Sequence, residues 1–382
     1  MKEIDFIQAL GFSVPMFTAL ICALLCLLHY RYAREHHNGK HMLLMAAVFM
    51  AAFICWALTI LYFMDYAAFV YCNPVYVMMS TLDMVFLYHF IVLITHTSRE
   101  KKFSPIHYIL PPIFMVTMGV WSAFVPFEVK YSIVESRGDI HPAYPGFSLA
   151  FFLSPFIFCV YCITYVLMGF RRAKKYRKSV VDYFADTERT SMKWHYIFMT
   201  LALVGMPVPF ATLLIEKTTV LSARVAITGS IIFVIQYVLL AYVAISEKYI
   251  IIEPFSEQEK KIDKMKVPAI NRLRFEQYLA DKKPFTNPNL RITDIAADMN
   301  TNRTYISNFI NSEYGMNFNR FINIYRLREL NRLRNSQASA KNSSLELIMM
   351  AGFNTYRSYI RAKSEEDRLQ TLKYPDKLSN DT

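Results

Sequence analysis

The stretch from Met42 to Thr97, which begins MLLMAAVFMAAFICWALTILYFM, decides the fold class of this chain. It contains no lysine or arginine, and its only acidic residues are Asp65 and Asp83. A bilayer core of about 30 Å needs about 20 apolar residues per helix, so the stretch is long enough for two crossings. The pattern predicts two membrane-spanning helices separated by a break from Asp65 to Pro74.

Further apolar runs of membrane length lie on both sides of this stretch. We predict seven spans in all, at residues 8–29, 42–64, 75–97, 106–126, 147–169, 195–216 and 224–246. The loops after spans one, three and five hold 14 lysines and arginines, whereas the loops on the other side, with the N-terminus, hold four. Because basic loops are retained in the cytoplasm, we expect the N-terminus outside and the C-terminus in the cytoplasm.

The composition excludes several classes of protein. The 382 residues are 54% hydrophobic and 15% aromatic, and the net charge is +12, so the chain is neither disordered nor a small disulfide scaffold. The six cysteines all lie in the apolar part, where they are typical of small core residues. We expect no cleaved signal peptide, because Glu3 and Asp5 outweigh Lys2 ahead of the first apolar run.

The composition changes abruptly after Lys248, and the residues beyond it have no membrane character. The sequence therefore predicts an all-α protein in which a seven-helix membrane bundle precedes a small helical domain. The expected divisions are a membrane domain at 1–248, a cytoplasmic connector at 249–283, a compact domain at 284–366 and a polar tail at 367–382.

A helix, a turn and a second helix are predicted in LRITDIAADMNTNRTYISNFINSEYGMNF, residues 290–318. The turn falls at Asn300-Thr301-Asn302, because Asn tolerates the left-handed conformation and Asn302 can cap the next helix. That helix covers about Arg303 to Tyr314 and ends at Gly315. The positions expected to be buried repeat at helical spacing: Ile292, Ile295 and Ala296, then Ile306, Phe309 and Ile310. A second helix with a polar outer face fits the major groove of DNA.

The same plan recurs in SLELIMMAGFNTYRSYIRAK, residues 344–363. We expect Leu345, Ile348 and Ala351 to face inward, a turn at Gly352-Phe353, and a second outer helix from Tyr356. A connecting helix lies between the two units, with apolar positions at Phe318, Phe321, Ile322, Tyr325 and Leu330.

With these features the chain resembles the AraC/XylS family of transcription regulators over residues 284–363. The resemblance rests on the I-x-x-I-A helix, the TNRTYISNFIN segment, the YGMNFNRFIN-x-YRL connector and the A-G-F turn. It implies two helix-turn-helix units that enter adjacent major-groove segments about 34 Å apart. The residues it places toward the bases are Arg303, Thr304, Ser307 and Asn308 in the first unit and Tyr356, Arg357 and Arg361 in the second. Arg can pair with guanine and Asn with adenine.

The charge of this region supports double-stranded DNA as a partner without reference to any family. Residues 284–363 hold 11 lysines and arginines against five acids, a net charge of +6. Phosphate contacts from such residues make binding salt-dependent. For Arg326, Arg328, Arg332 and Arg334 a solvated helix face is an equally good interpretation, because they cannot all reach one duplex.

The predicted spans contain two candidate sensor residues, Asp83 and His89. An ionisable group inside a span is costly and points to function, although a structural hydrogen bond to another span explains Asp83 equally well. The loop with His36, His37 and His41 could hold a metal, but a polar loop is the preferred interpretation. We expect no metal, no cofactor and no enzymatic activity, since no Gly-rich phosphate loop occurs in the tail.

Taken together, the patterns predict a membrane-anchored regulator in the inner membrane of a bacterium. Its expected partners are double-stranded DNA, the lipid bilayer, an unknown signal ligand and a second copy of the chain. The alternative is a membrane receptor or transporter whose basic tail binds a protein partner or anionic lipid.

Overall fold

The computed structural model describes residues 6–33, 39–95, 103–136, 139–186, 223–246, 270–336 and 342–373. Among these residues the chain forms α-helices, one 3₁₀ turn and one isolated β-bridge, which confirms the all-α class. The chain divides into two compact units. The described residues of the first unit run from 6 to 174 and from 223 to 246, and those of the second are 175–186, 270–336 and 342–373.

The first unit contains the apolar helices. Its elements are α1 (Phe6–Ala33), α2 (Gly39–Met64), α3 (Tyr66–Ile94), α4 (Ile106–Ala123), α5 (Phe127–Glu135), α6 (Pro145–Tyr183) and α7 (Ala223–Ile245). All of these except α5 are long and apolar enough to cross a membrane. They coincide with six of the seven expected spans, and the remaining one, 195–216, lies outside the described residues.

The expected break from Asp65 to Pro74 is wrong. The interruption is confined to Asp65, because its carboxylate accepts the backbone N–H of Ala68 at 3.1 Å and so caps α3 at once. Pro74 lies inside α3, where it removes one backbone donor without ending the helix.

A short amphipathic helix, α5, follows α4 and was not expected from the sequence. Ile133 packs with Met118 and Phe147, and Val134 packs with Phe69. Fully burying an apolar side chain of this size contributes about 1.5–3 kcal/mol, so both contacts stabilise α5 on the bundle.

The core of the first unit combines large apolar residues with alanines from three helices. Ala19 and Ala23 of α1 are buried with Ala46 of α2 and with Ala241 and Ala244 of α7. Small residues at such contacts are typical of helix packing in membranes. The outward faces are also apolar, as shown by the exposed Leu28, Val116, Val160 and Val238. Helices that are apolar on their exposed faces as well as on their buried faces indicate a lipid environment.

The second unit is a set of short polar helices. These are α8 (Arg272–Lys282), a 3₁₀ turn (Pro284–Thr286), α9 (Ile292–Asp298), α10 (Arg303–Tyr314), α11 (Phe318–Arg334), α12 (Ser344–Met350) and α13 (Tyr356–Lys373). The last turns of α6, from Lys175, belong to this unit, a division that the sequence did not indicate. Helix α13 extends past the expected domain end at 366, because Glu366 pairs with Arg320 of α11 at 3.4 Å.

Candidate nucleic-acid interface

The first helix pair, α9 and α10, is joined by a tight turn. Asn300 adopts the left-handed conformation with φ of 53°, as its residue type predicted. Asn302 is buried, and its side-chain oxygen accepts the backbone N–H of Tyr305 at 3.0 Å, which starts α10. Helix α10 ends at Gly315, which has φ of 65°.

The second helix pair, α12 and α13, is closed by the same backbone hydrogen bonds. In the first turn Asn300 N–H donates to Ala297 O at 3.1 Å and Thr301 N–H donates to Ala296 O at 2.8 Å. The corresponding bonds of the second turn run from Gly352 N–H to Met349 O at 2.9 Å and from Phe353 N–H to Ile348 O at 3.3 Å. The same turn therefore occurs twice, 52 positions apart, so that Ala296 in the first turn corresponds to Ile348 in the second.

The second pair differs from the prediction in one buried position. Leu345 is 47% exposed, whereas Leu347 is buried with Ile348 and Ala351. The reason is that Leu345 lies two positions from Leu347, about 200° around the helix, and so faces away from the core that Leu347 joins. Gly352 has φ of 99°, and a Cβ placed there would lie 2.2 Å from the carbonyl oxygen of Phe285.

Helix α10 presents a polar face, although not with all of the residues expected. Asn308 is exposed, Thr304 and Ser307 are half-buried, and Arg303 is only 8% exposed. The guanidinium of Arg303 lies 5.3 Å from the ring centre of Tyr183. The sequence also missed Tyr305, which is exposed beside Asn308 and could have been found from its spacing of three residues.

Helix α13 exposes all three of its expected residues. Tyr356, Arg357 and Arg361 are exposed, while Tyr359 and Ala362 are buried against α11 and α12. Ser358 N–H donates to Thr355 Oγ1 at 3.0 Å, so Thr355 caps the helix as Asn302 caps α10. The exposed side of α13 therefore carries Arg357 and Arg361 together with Tyr356 and Ile360.

Of the five arginines on α11, one is structural. Arg326 is 1% exposed and donates through Nε to Phe285 O at 2.8 Å and through a terminal nitrogen to Asn287 O at 2.8 Å. Burial lowers the pKa of Arg326 to about 10. Arg326 is therefore unavailable to DNA phosphate. From the sequence it was counted among the basic residues that support DNA binding, and the structure corrects this. Arg332 pairs with Glu329 at 2.8 Å, and Arg328 and Arg334 are exposed.

The two candidate sensor residues of α3 lie in different surroundings. His89 Nδ1 is 2.6 Å from the hydroxyl of Tyr108, and its ring stacks on Phe103 with centroids 4.1 Å apart. Asp83 lies close enough to Cys55 and Tyr237 to act on them electrostatically. Its Oδ1 is shielded from solvent and accepts no hydrogen bond in the described structure. The structure thus separates the two residues instead of joining them in one site.

The His-rich loop and the cysteines were also placed by the structure, as far as the described residues extend. No three His, Cys, Asp or Glu side chains converge in the described ranges. His36 and His37 lie outside those ranges, and His41 is buried in α2. The cysteines in the described residues are reduced, including Cys159 and Cys162 on α6.

Comparison with known proteins adds no identity. No protein-family profile, curated protein sequence or solved structure matches the chain.

Proposed function

We propose that this protein is a membrane-anchored, sequence-specific DNA-binding transcription regulator of the AraC/XylS type. The observation that carries the proposal is the repeated turn of α9–α10 and α12–α13, each followed by a helix with an exposed polar face. Two helices joined by a tight turn form the motif that places its second helix in the major groove. The membrane helices would then hold this domain at the inner face of a bacterial inner membrane.

In this proposal the two outer helices differ in what they read. Helix α10 offers Thr304, Ser307 and Asn308, whose short polar groups suit an adenine or a thymine methyl. Helix α13 offers Tyr356, Arg357 and Arg361, which suit guanine and phosphate. Asn308 and Arg361 are the residues we most expect to contact bases, because both are exposed on their helices.

The membrane half would act as the sensor, with seven spans and the C-terminal domain in the cytoplasm. Asp83 is the preferred site for the signal, since a shielded carboxylate oxygen without a hydrogen bond can be satisfied by a ligand or a proton. A homodimer would strengthen binding, because two tethered domains raise the effective concentration at paired half-sites.

The test uses the full chain in nanodiscs of neutral lipid, mixed with sheared DNA of the host over a salt series. Bound fragments are sequenced, and discrete sites with salt-dependent affinity are expected. Asn308→Ala should weaken binding to those sites by about 1–3 kcal/mol, the usual value of one good base contact. Asn331→Ala, an exposed asparagine on α11, is the matched control and should leave affinity unchanged.

Two results would contradict the proposal. Uniform binding along the DNA would show that the helix pairs read no sequence. Binding of anionic vesicles by the full chain, without selection of any DNA fragment, would favour the receptor or transporter alternative.

A further inference from the structure

Residues Tyr183–Asp186, which we call the strap, begin at the last residue of α6 and belong to the second unit. Phe184 forms an antiparallel β-bridge with Arg291, the residue before α9. The backbone N–H of Ala185 donates to the carbonyl of Leu290 at 3.1 Å. The strap therefore joins a helix pair that lies more than 100 positions away in sequence.

Two buried side chains of α11, Asn319 and Arg326, donate hydrogen bonds to carbonyl oxygens of the strap. Asn319 Nδ2 donates to Ala185 O at 2.7 Å and to Phe184 O at 3.4 Å. A terminal nitrogen of Arg326 lies 3.5 Å from Ala185 O. Both donors are at least nine-tenths buried, so undocking would leave their polar groups to find new partners. Such buried donors indicate that the second unit has a specific binding site for the strap and not a chance surface contact.

The aromatic rings of the strap cover arginines of the first helix pair. Tyr183 and Phe184 are buried, and the rings lie 5.3 Å from the guanidinium of Arg303 and 5.9 Å from that of Arg291. A cation over an aromatic face is attracted by the ring, most strongly when water is excluded. Arg303 is the first residue of α10 and is buried against Tyr183, whereas Asn308 on the same helix is exposed.

We propose that the strap is an intramolecular lock that holds Arg303 against Tyr183 and lowers DNA affinity until a movement of α6 releases it. The proposal rests on the proposed DNA-binding function and concerns its regulation. The apolar part of α6 and the first residue of the strap lie on one helix, because α6 runs from Pro145 to Tyr183 without interruption. A signal that shifts α6 would thus reach Arg303 without a separate messenger.

The first test compares two variants of the full chain in neutral nanodiscs, with the DNA fragments recovered in the selection above as probe. Tyr183→Ala removes the ring and should tighten binding about ten-fold, by raising the fraction of chains with Arg303 released. Tyr183→Phe keeps the ring and should bind as the wild type does.

The second test closes the lock and does not depend on a tolerated ring deletion. Bridged antiparallel residues have Cα atoms about 4.5–5.5 Å apart, which a disulfide can span. The double variant Phe184→Cys with Arg291→Cys should lose about ten-fold in affinity on oxidation and regain it on reduction. Wild type and each single variant, treated with the same oxidant, control for the native cysteines.

Hydrogen exchange at the Ala185 amide reports docking directly. We expect slow exchange in the free protein and faster exchange when DNA is bound. Unchanged affinity in Tyr183→Ala, together with full binding by the oxidised double variant, would overturn the lock and leave the DNA-binding function intact. Failure of every form, including wild type, to select discrete fragments would overturn both.

Discussion

Substitution of Gly352 by alanine should weaken the packing of the second helix pair and lower the stability of the second unit. Gly352 has φ of 99°, a conformation that side-chain-bearing residues adopt at a cost of about 1–2 kcal/mol. The new Cβ would also lie 2.2 Å from Phe285 O and 2.8 Å from Thr286 Cα, both backbone atoms that cannot rotate away. Such overpacking costs about 1–3 kcal/mol.

Together these terms predict a loss of about 2–5 kcal/mol, against a total of about 5–15 kcal/mol for a small domain. Gly315→Ala is the matched control, since Gly315 also has a positive φ, 65°, but a Cβ there would meet nothing within 4 Å. It should carry only the conformational cost, about 1–2 kcal/mol. The difference between the two variants therefore measures the clash with the 3₁₀ turn.

Pulse proteolysis in urea, applied to the full chain in nanodiscs and read from a C-terminal tag, gives the stability of the second unit. Gly352→Ala should lower the urea midpoint more than Gly315→Ala. Equal midpoints would refute the reasoning, because they would show that the turn at Gly352 does not pack against the 3₁₀ turn at Phe285.

Three further predictions concern the buried arginine, an ion pair and the candidate sensor. Arg326→Met should lower the free energy of unfolding of the second unit by about 3 kcal/mol, measured through its urea midpoint, because carbonyls that Arg326 satisfies would be left buried without a donor. Arg328→Met should leave that free energy unchanged. Hydrogen bonds from Arg332 and Lys283 lower the pKa of Glu329, so its stabilising effect should be present above about pH 4.5 and fade as the pH falls further. Glu329→Gln should therefore unfold at a lower temperature than wild type at about pH 7, and this difference should shrink as the pH falls below about 4.5. Asp83→Asn should change reporter output in response to signal while the DNA affinity of the full chain without signal stays the same; unaltered output would remove Asp83 from the site.

Much of the helical framework could be predicted, because the signals that set it are local. The six described spans followed from runs of apolar residues, whose length alone matches a bilayer. The left-handed Asn300 and the cap at Asn302 followed from residue type, since each is stabilised by atoms within a few positions. The start of α13 at Tyr356 was found in the same way.

Positions that depend on rotation about a helix axis were less predictable. Leu345 was expected inside and is exposed, because packing against α11 directs Leu347, Ile348 and Ala351 toward the core instead. The nine-residue α5 was missed, since its helical character depends on packing against Met118 and Phe69 and not on its own propensity.

The sequence by itself determined the all-α class, the membrane character and the two helix pairs with their turns, because length, periodicity and capping act between near neighbours. Only the tertiary structure decided which polar residues are buried. Arg326 and Asn319 hold the carbonyl of Ala185, which lies 141 and 134 positions away, and no local pattern reports such a contact. The same is true of Arg303, whose side chain is directed by Tyr183. A long-range contact brings together residues whose separate neighbourhoods give no sign of each other, so the fate of these side chains was visible only in the folded chain.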